Sequence, residues 1–168
     1  MNIPFYHREA AAKVRELSAQ FPCVLVTGAR QVGKSTMLKA MMPEGMRYIT
    51  LDDYRIAEQA QSDPIGLLEM YGTPLCIDEI QYAPQLLRAI KLKADAERKP
   101  GMYWLTGSQR FRMMKGVSES LVGRIGILEL QSLSQREIAG AGQRAVPFGG
   151  GDDAFGPVGA RDAACCNV

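Results

Sequence analysis

Eight consecutive residues, Gly28-Ala29-Arg30-Gln31-Val32-Gly33-Lys34-Ser35, have the types and spacing G-x-x-x-x-G-K-[ST], and Thr36 follows them. Glycines at both ends let the backbone double back and turn successive N–H groups inward. A helix that starts there adds the positive end of its dipole, and the whole becomes a nest for nucleotide phosphates. Lys34 is placed to reach the β- and γ-phosphates, Ser35 to offer its hydroxyl to Mg²⁺, and Thr36 to add a further hydroxyl near the phosphates. The candidate nucleotide-binding residues are therefore Gly28, Ala29, Arg30, Gln31, Val32, Gly33, Lys34, Ser35 and Thr36.

A second stretch, 73–79, reads TPLCIDE: an apolar run that ends in two adjacent carboxylates. Downstream of a phosphate loop, Asp78 is expected at a strand tip close to Mg²⁺, directly or through water, and Glu79 beside it as the base that polarises an attacking water. Ser35 and Asp78 are thus the candidate metal ligands and Glu79 the candidate catalytic base. Glu79 also separates hydrolases from nucleotide kinases, which need no such base beside the metal aspartate. Residues 102–108, MYWLTGS, form another apolar run with small polar residues at its end. Thr106 or Ser108 could sense the γ-phosphate or the water there, and Ser108 is the favoured candidate. Arg124, just ahead of the alternating run 125–130, carries a permanent bidentate charge suited to phosphates of its own site or of a neighbouring subunit, with a surface ion pair as the plain alternative.

These residues need strands and helices to bring them together. Residues 22–27 read as a short buried strand before the loop, and 35–42 as the helix after it. Residues 47–51 read as a second strand and parallel neighbour that ends at Asp52-Asp53. An aspartate ahead of a helical stretch is more often an N-cap, so neither enters the catalytic set. Helical patterns cover 5–19, 54–71 with a break at Ser62-Asp63-Pro64, and 84–99. Short helical pieces are expected within 111–122, a strand at 125–130, and a helix after Leu133 capped by Ser134 with Glu137 three residues on. Trp104, Met113 and Met114 read as core, and His7 as an exposed or capping residue.

The chain has 168 residues, 46% hydrophobic and 23% charged, with a formal net charge of +2. That composition suits one globular domain with a sizeable core. The near-neutral balance gives no support for a nucleic-acid or anionic-membrane partner, although a local basic patch is compatible with it. No apolar run has signal-peptide or membrane-spanning length, so a cytoplasmic protein without a membrane partner is expected. Cys23 and Cys76 fall in apolar strands and read as buried thiols, while adjacent Cys165 and Cys166 make neither a metal motif nor a disulfide framework. From residue 141 to 168 Gly, Ala and Pro replace periodic apolar residues, which marks a disordered tail after an ATPase domain at 1–140.

Taken together, TGARQVGKST at 27–36, LDD at 51–53, IDEIQ at 77–81, LTGS at 105–108, Gly123-Arg124 and LSQRE at 133–137 resemble the bacterial and archaeal AAA-superfamily ATPases over roughly residues 8–140. The resemblance implies ATP and Mg²⁺ as ligands and a homo-oligomer as an assembly open to the chain. It further implies an α/β fold of the P-loop NTPase kind, three-layered α/β/α with a mainly parallel five-stranded sheet (AAA/ASCE type). In that sheet the acidic and sensor strands are expected beside the loop strand. Members commonly continue into a second domain, of nuclease-like or DNA-related role, so the chain reads as truncated or changed in frame near residue 140. Two functions follow: a Mg²⁺-dependent ATPase, supported by Glu79, and a nucleotide-binding remnant or switch with negligible turnover. A small-molecule kinase is weaker, since neither an acceptor pocket nor a basic lid is visible.

Overall fold

The computed structural model describes residues 6–108 and 121–140. The elements are α1 (Ala10–Gln20), β1 (Cys23–Thr27), α2 (Lys34–Met41), β2 (Arg47–Thr50), α3 (Tyr54–Ser62), α4 (Pro64–Tyr71), β3 (Leu75–Asp78), a single 3-10 turn Ile80–Tyr82, α5 (Leu86–Glu97), β4 (Tyr103–Thr106), β5 (Ile125–Glu129) and α6 (Gln135–Ile138). The expected helical pieces within 111–122 lie mostly, and the tail wholly, outside the described residues.

The five strands pair only in parallel, in the order β2-β3-β4-β1-β5. Parallel strands require crossover connections, and these supply helices for both faces. Alternation along each strand then divides the core in two. Cys23, Leu25, Ile49, Leu75, Ile77, Tyr103 and Leu105 point to one face, where Leu67 and Leu68 of α4 and Leu86, Leu87 and Ile90 of α5 cover them. Val24, Val26, Cys76 and Trp104 point to the other, under Val14 of α1 and Met37 and Leu38 of α2. This is the three-layer α/β/α architecture, with β1, β3 and β4 buried at every position. Each fully buried Leu or Ile contributes roughly 1.5–3 kcal/mol.

The break expected at 62–64 has a single cause. Asp63 ends α3, accepts from the Gly66 N–H at 2.9 Å as N-cap of α4, and is followed by Pro64 in the first turn. Asp53 likewise caps α3 through the Arg55 N–H at 2.9 Å. Trp104 is buried, with its indole N–H on Ser18 Oγ at 2.8 Å. Burial pushes the thiols of Cys23 and Cys76 up to about 12, so both stay protonated and inert. One expectation about the sheet needs correction. The sensor strand β4 does lie directly beside β1, but the acidic strand β3 does not, because β4 stands between them.

Candidate nucleotide and metal site

Asp78 and Thr106 end β3 and β4 at the C-terminal edge of the sheet, where a parallel α/β fold opens its ligand crevice. The phosphate loop leaves β1 at Thr27 and closes on α2, whose first residue is Lys34. The turn depends on Gly28, which has φ +148° and passes so close to the Leu130 carbonyl that an added Cβ would collide with it. Gln31 and Gly33 take φ 63° and 90°, and with Gly28 they give the loop its reversed curvature.

Lys34 is 6% exposed. Its Nζ donates to the carbonyl oxygens of Gly28 and Ala29, at 3.2 and 2.8 Å. Among the described residues no carboxylate forms an ion pair with it. A buried ammonium whose partners are neutral carbonyls is electrostatically unfinished, and a polyanion entering the loop would complete it.

Ser35 Oγ donates to Asp78 Oδ1 at 2.9 Å, which joins the first turn of α2 to the tip of β3. Thr106 Oγ1 donates to the same oxygen and accepts the Glu79 N–H at 3.0 Å. Tyr48 Oη donates to Oδ2 at 2.5 Å. Glu79 has φ 59° and ψ 47°, a left-handed conformation that costs a non-glycine residue about 1–3 kcal/mol and persists only where the surroundings over-determine it. Two bonds do so here. The first is the Thr106 bond to its N–H; the second runs from the Gln81 side-chain amide to its carboxylate. Gln81 Oε1 in turn accepts the Ser108 N–H at 3.3 Å.

The loop and Glu79 border one cleft of about 470 Å³, lined by Arg30, Gln31, Gly33, Lys34, Ser35, Thr36, Asp52, Glu79 and Tyr82, with Asp78 buried behind Ser35. Its metal-binding capacity is partial. Among the described residues no three His, Cys, Asp or Glu side chains cluster to hold an ion. Ser35 and Asp78 instead offer hard oxygen donors, which fits Mg²⁺, an ion that takes one or two protein oxygens and fills its octahedron with water and substrate phosphates.

The structure thus brings Gly28, Ala29, Arg30, Gln31, Val32, Gly33, Lys34, Ser35, Thr36, Asp78 and Glu79 to one edge. Ser108 joins through its backbone N–H, whereas Thr106, the less favoured candidate, is the hydroxyl bonded to Asp78. Arg124 stands apart from this edge. It precedes β5, and the Cys23 N–H at the start of the parallel neighbour β1 donates to its carbonyl. The loop leaves the other end of β1, five residues or roughly 16 Å away at about 3.3 Å per residue. At its own end Arg124 pairs with Asp95 of α5 and donates to the Val122 carbonyl at 2.8 Å. That bond raises the guanidinium pKa and lowers the Asp95 carboxyl below its ordinary value. The surface ion pair is what the structure contains.

Sequence reading passed over four residues. Tyr48 and Gln81 bind the two carboxylates, and Gln81 was visible only as part of the motif IDEIQ. Arg8 and Glu137 hold the loop from behind. Arg8 donates to the Val32 carbonyl at 2.7 Å, to the Gln131 carbonyl at 2.6 Å and to Glu137 Oε1 at 3.0 Å. Both side chains of this pair are nearly buried, at 7% and 6% exposure. Burial works against the Glu137 charge, but the N–H groups of Ser134 and Glu9 and the Arg8 guanidinium outweigh it and lower its pKa. A capping box signals Glu137 in sequence; nothing local signals Arg8 as its partner.

Comparison with known proteins agrees with this architecture. An uncharacterized protein of Mycobacterium bovis and another of Mycobacterium tuberculosis are each 31% identical to this chain over 132 residues, 78% of its length. The chain spans only 30% of the length of either relative. The Walker-type ATPase of Pyrococcus abyssi shares the fold at a TM-score of 0.54, with 18% identity, over 79% of this chain and 55% of that one. Residues 20–139 match the family described as AAA domain. From the phosphate loop through the acidic strand to the capping box before α6, the chain belongs to the AAA domain family.

Proposed function

We propose that this domain binds ATP with Mg²⁺ and hydrolyses it. The observation that carries the reading is the bonded path Ser35–Asp78–Thr106–Glu79, which joins the phosphate loop to two carboxylates of different surroundings. Lys34 and the loop N–H groups bind the phosphates, and the first turn of α2 adds its dipole. Mg²⁺, when bound, neutralises charge on the β- and γ-phosphate oxygens. Ser35 and Asp78 would hold it. Asp78 carries three hydroxyl donors on its roughly four acceptor positions, two on Oδ1 and one on Oδ2, which orients it as a fixed ligand and leaves a position on Oδ2 for the ion or one of its waters. Glu79 borders the cleft, and among the described residues only the Gln81 amide bonds its carboxylate, which leaves acceptor capacity to take a proton from water. Gln81 holds that carboxylate in orientation, and Ser108 beside it would report the state of the β4 tip. Asp52 and Tyr82 line the cleft as well, where they bear on the fit of the nucleotide. Arg124 takes no part in its own site; a role at a neighbouring subunit's γ-phosphate requires a homo-oligomer and release of Asp95.

Phosphate release and nucleotide binding, measured on one preparation, test the proposal. Glu79→Gln is expected to bind a fluorescent ATP analogue as the parent does and to hydrolyse ATP at least about 100-fold more slowly, since the amide keeps the shape and loses the base. Parent-like hydrolysis by this variant would remove Glu79 from the mechanism. Binding without measurable release by the parent protein would make the domain a nucleotide-dependent switch.

A further inference from the structure

Asp78 has a hydrogen-bond partner that none of the phosphate-site motifs contains. Tyr48 stands on β2, the outer strand beside β3, in register with Cys76 two residues before Asp78. Residues two apart on a strand share a face, so the Tyr48 side chain can run along that face to the carboxylate. Its hydroxyl donates to Oδ2 at 2.5 Å. Lys39 of α2 lies over the ring, with Nζ 4.0 Å from the centroid, and fixes the phenol from the layer above.

A carboxylate offers about four acceptor positions. Ser35 and Thr106 both act on Oδ1, one from α2 and one from β4. Cγ and its two oxygens form one rigid plane, so the bonds at Oδ1 and the Tyr48 bond at Oδ2 restrain the same rotation about the Cβ–Cγ axis. The Tyr48 bond adds the restraint at the other end of the plane, from the strand opposite Thr106, and is the described side-chain bond that directs Oδ2. Mg²⁺ accepts little departure from octahedral geometry, and the partners that orient a ligating carboxylate commonly carry a large share of metal affinity. We propose that Tyr48 is a positioning residue for Mg²⁺ binding, acting through Asp78, an inference that rests on the reading of Asp78 as the carboxylate that serves the metal.

The test is a titration of Mg²⁺ at fixed fluorescent ATP analogue with the parent, Tyr48→Phe and Asp78→Asn, beside nucleotide binding in EDTA and a thermal scan. Phenylalanine keeps the half-buried ring under Lys39 and removes only the donor. The Mg²⁺ half-saturation of Tyr48→Phe is expected to rise about 10-fold, the lower end of the usual cost of losing such a partner. Its affinity in EDTA and its thermal midpoint should match the parent. An unchanged half-saturation in Tyr48→Phe, with a weakened one in Asp78→Asn, would overturn the role of Tyr48 alone. Equal weakening with and without Mg²⁺ would make Tyr48 a packing residue and also overturn it. No effect of Asp78→Asn would remove the metal reading of Asp78, and the positioning role with it.

Discussion

At the scale of single residues, the site is a contrast between a cation whose partners among the described residues are neutral carbonyls and a carboxylate that takes three hydroxyl donors. Lys34→Ala removes charge-assisted bonds to phosphate worth about 1.5–3 kcal/mol each and should weaken nucleotide binding by at least 10-fold without loss of fold. Titration with a fluorescent ATP analogue and a circular-dichroism spectrum on the same sample check this, and unchanged affinity would count against the phosphate-loop reading. Gly28→Ala should behave oppositely. Its Cβ would strike the Leu130 carbonyl in a backbone region that favours glycine, so the thermal midpoint should fall along with affinity. The sequence announced Lys34, Ser35, Asp78 and Glu79 because each belongs to a fixed local spacing. Tyr48 was illegible because its partner lies on another strand, and strand register cannot be read from one segment. The position of Arg124 was illegible for the same reason: only the parallel pairing of β5 with β1 shows that it stands at the far end of the sheet.

At the scale of elements, caps and clasps decide how the loop is held. Breaking a buried ion pair by removing one partner costs about 3–5 kcal/mol, since a charge is left behind. Arg8→Ala should therefore lower the thermal midpoint strongly and, through the Val32 carbonyl, loosen nucleotide binding too. Adding Glu137→Gln to Arg8→Ala should recover part of the loss, measured as non-additivity in a double-mutant cycle. Glu137 also gives a pH dependence. Its folded pKa lies below the ordinary 4.5, so its contribution is complete above about pH 4.5 and is lost as pH falls through the folded value. The thermal midpoint of Glu137→Gln should fall less than the parent's as pH is lowered through that window. Helix and strand positions were largely legible from apolar periodicity and from Asp53, Asp63 and Ser134 as caps. The 3-10 turn Ile80–Tyr82 was not, as its start depends on the left-handed conformation of Glu79, which no propensity favours.

At the scale of the whole molecule, the sheet order was legible only in part: the motifs put the sensor strand β4 beside β1, where it is, but put the acidic strand β3 there too, and β4 stands between them. Cys23 and Cys76 illustrate it: both read as buried from composition, yet they face opposite layers. Both should resist alkylation under native conditions, with modification observed by mass spectrometry only after denaturant is added. The family match ends at residue 139. We propose a domain boundary there, and a chain ended at residue 140 should keep the thermal midpoint and nucleotide affinity of the full sequence; a large fall in either would place the boundary later. The Arg8–Glu137 clasp bears on such boundaries in another way. It knots the segment before α1 to the last described helix, and the knot sits on the carbonyl of a phosphate-loop residue. A displacement of α6 and a displacement of the Val32 carbonyl would both be felt at the Arg8 guanidinium, which binds the two at once.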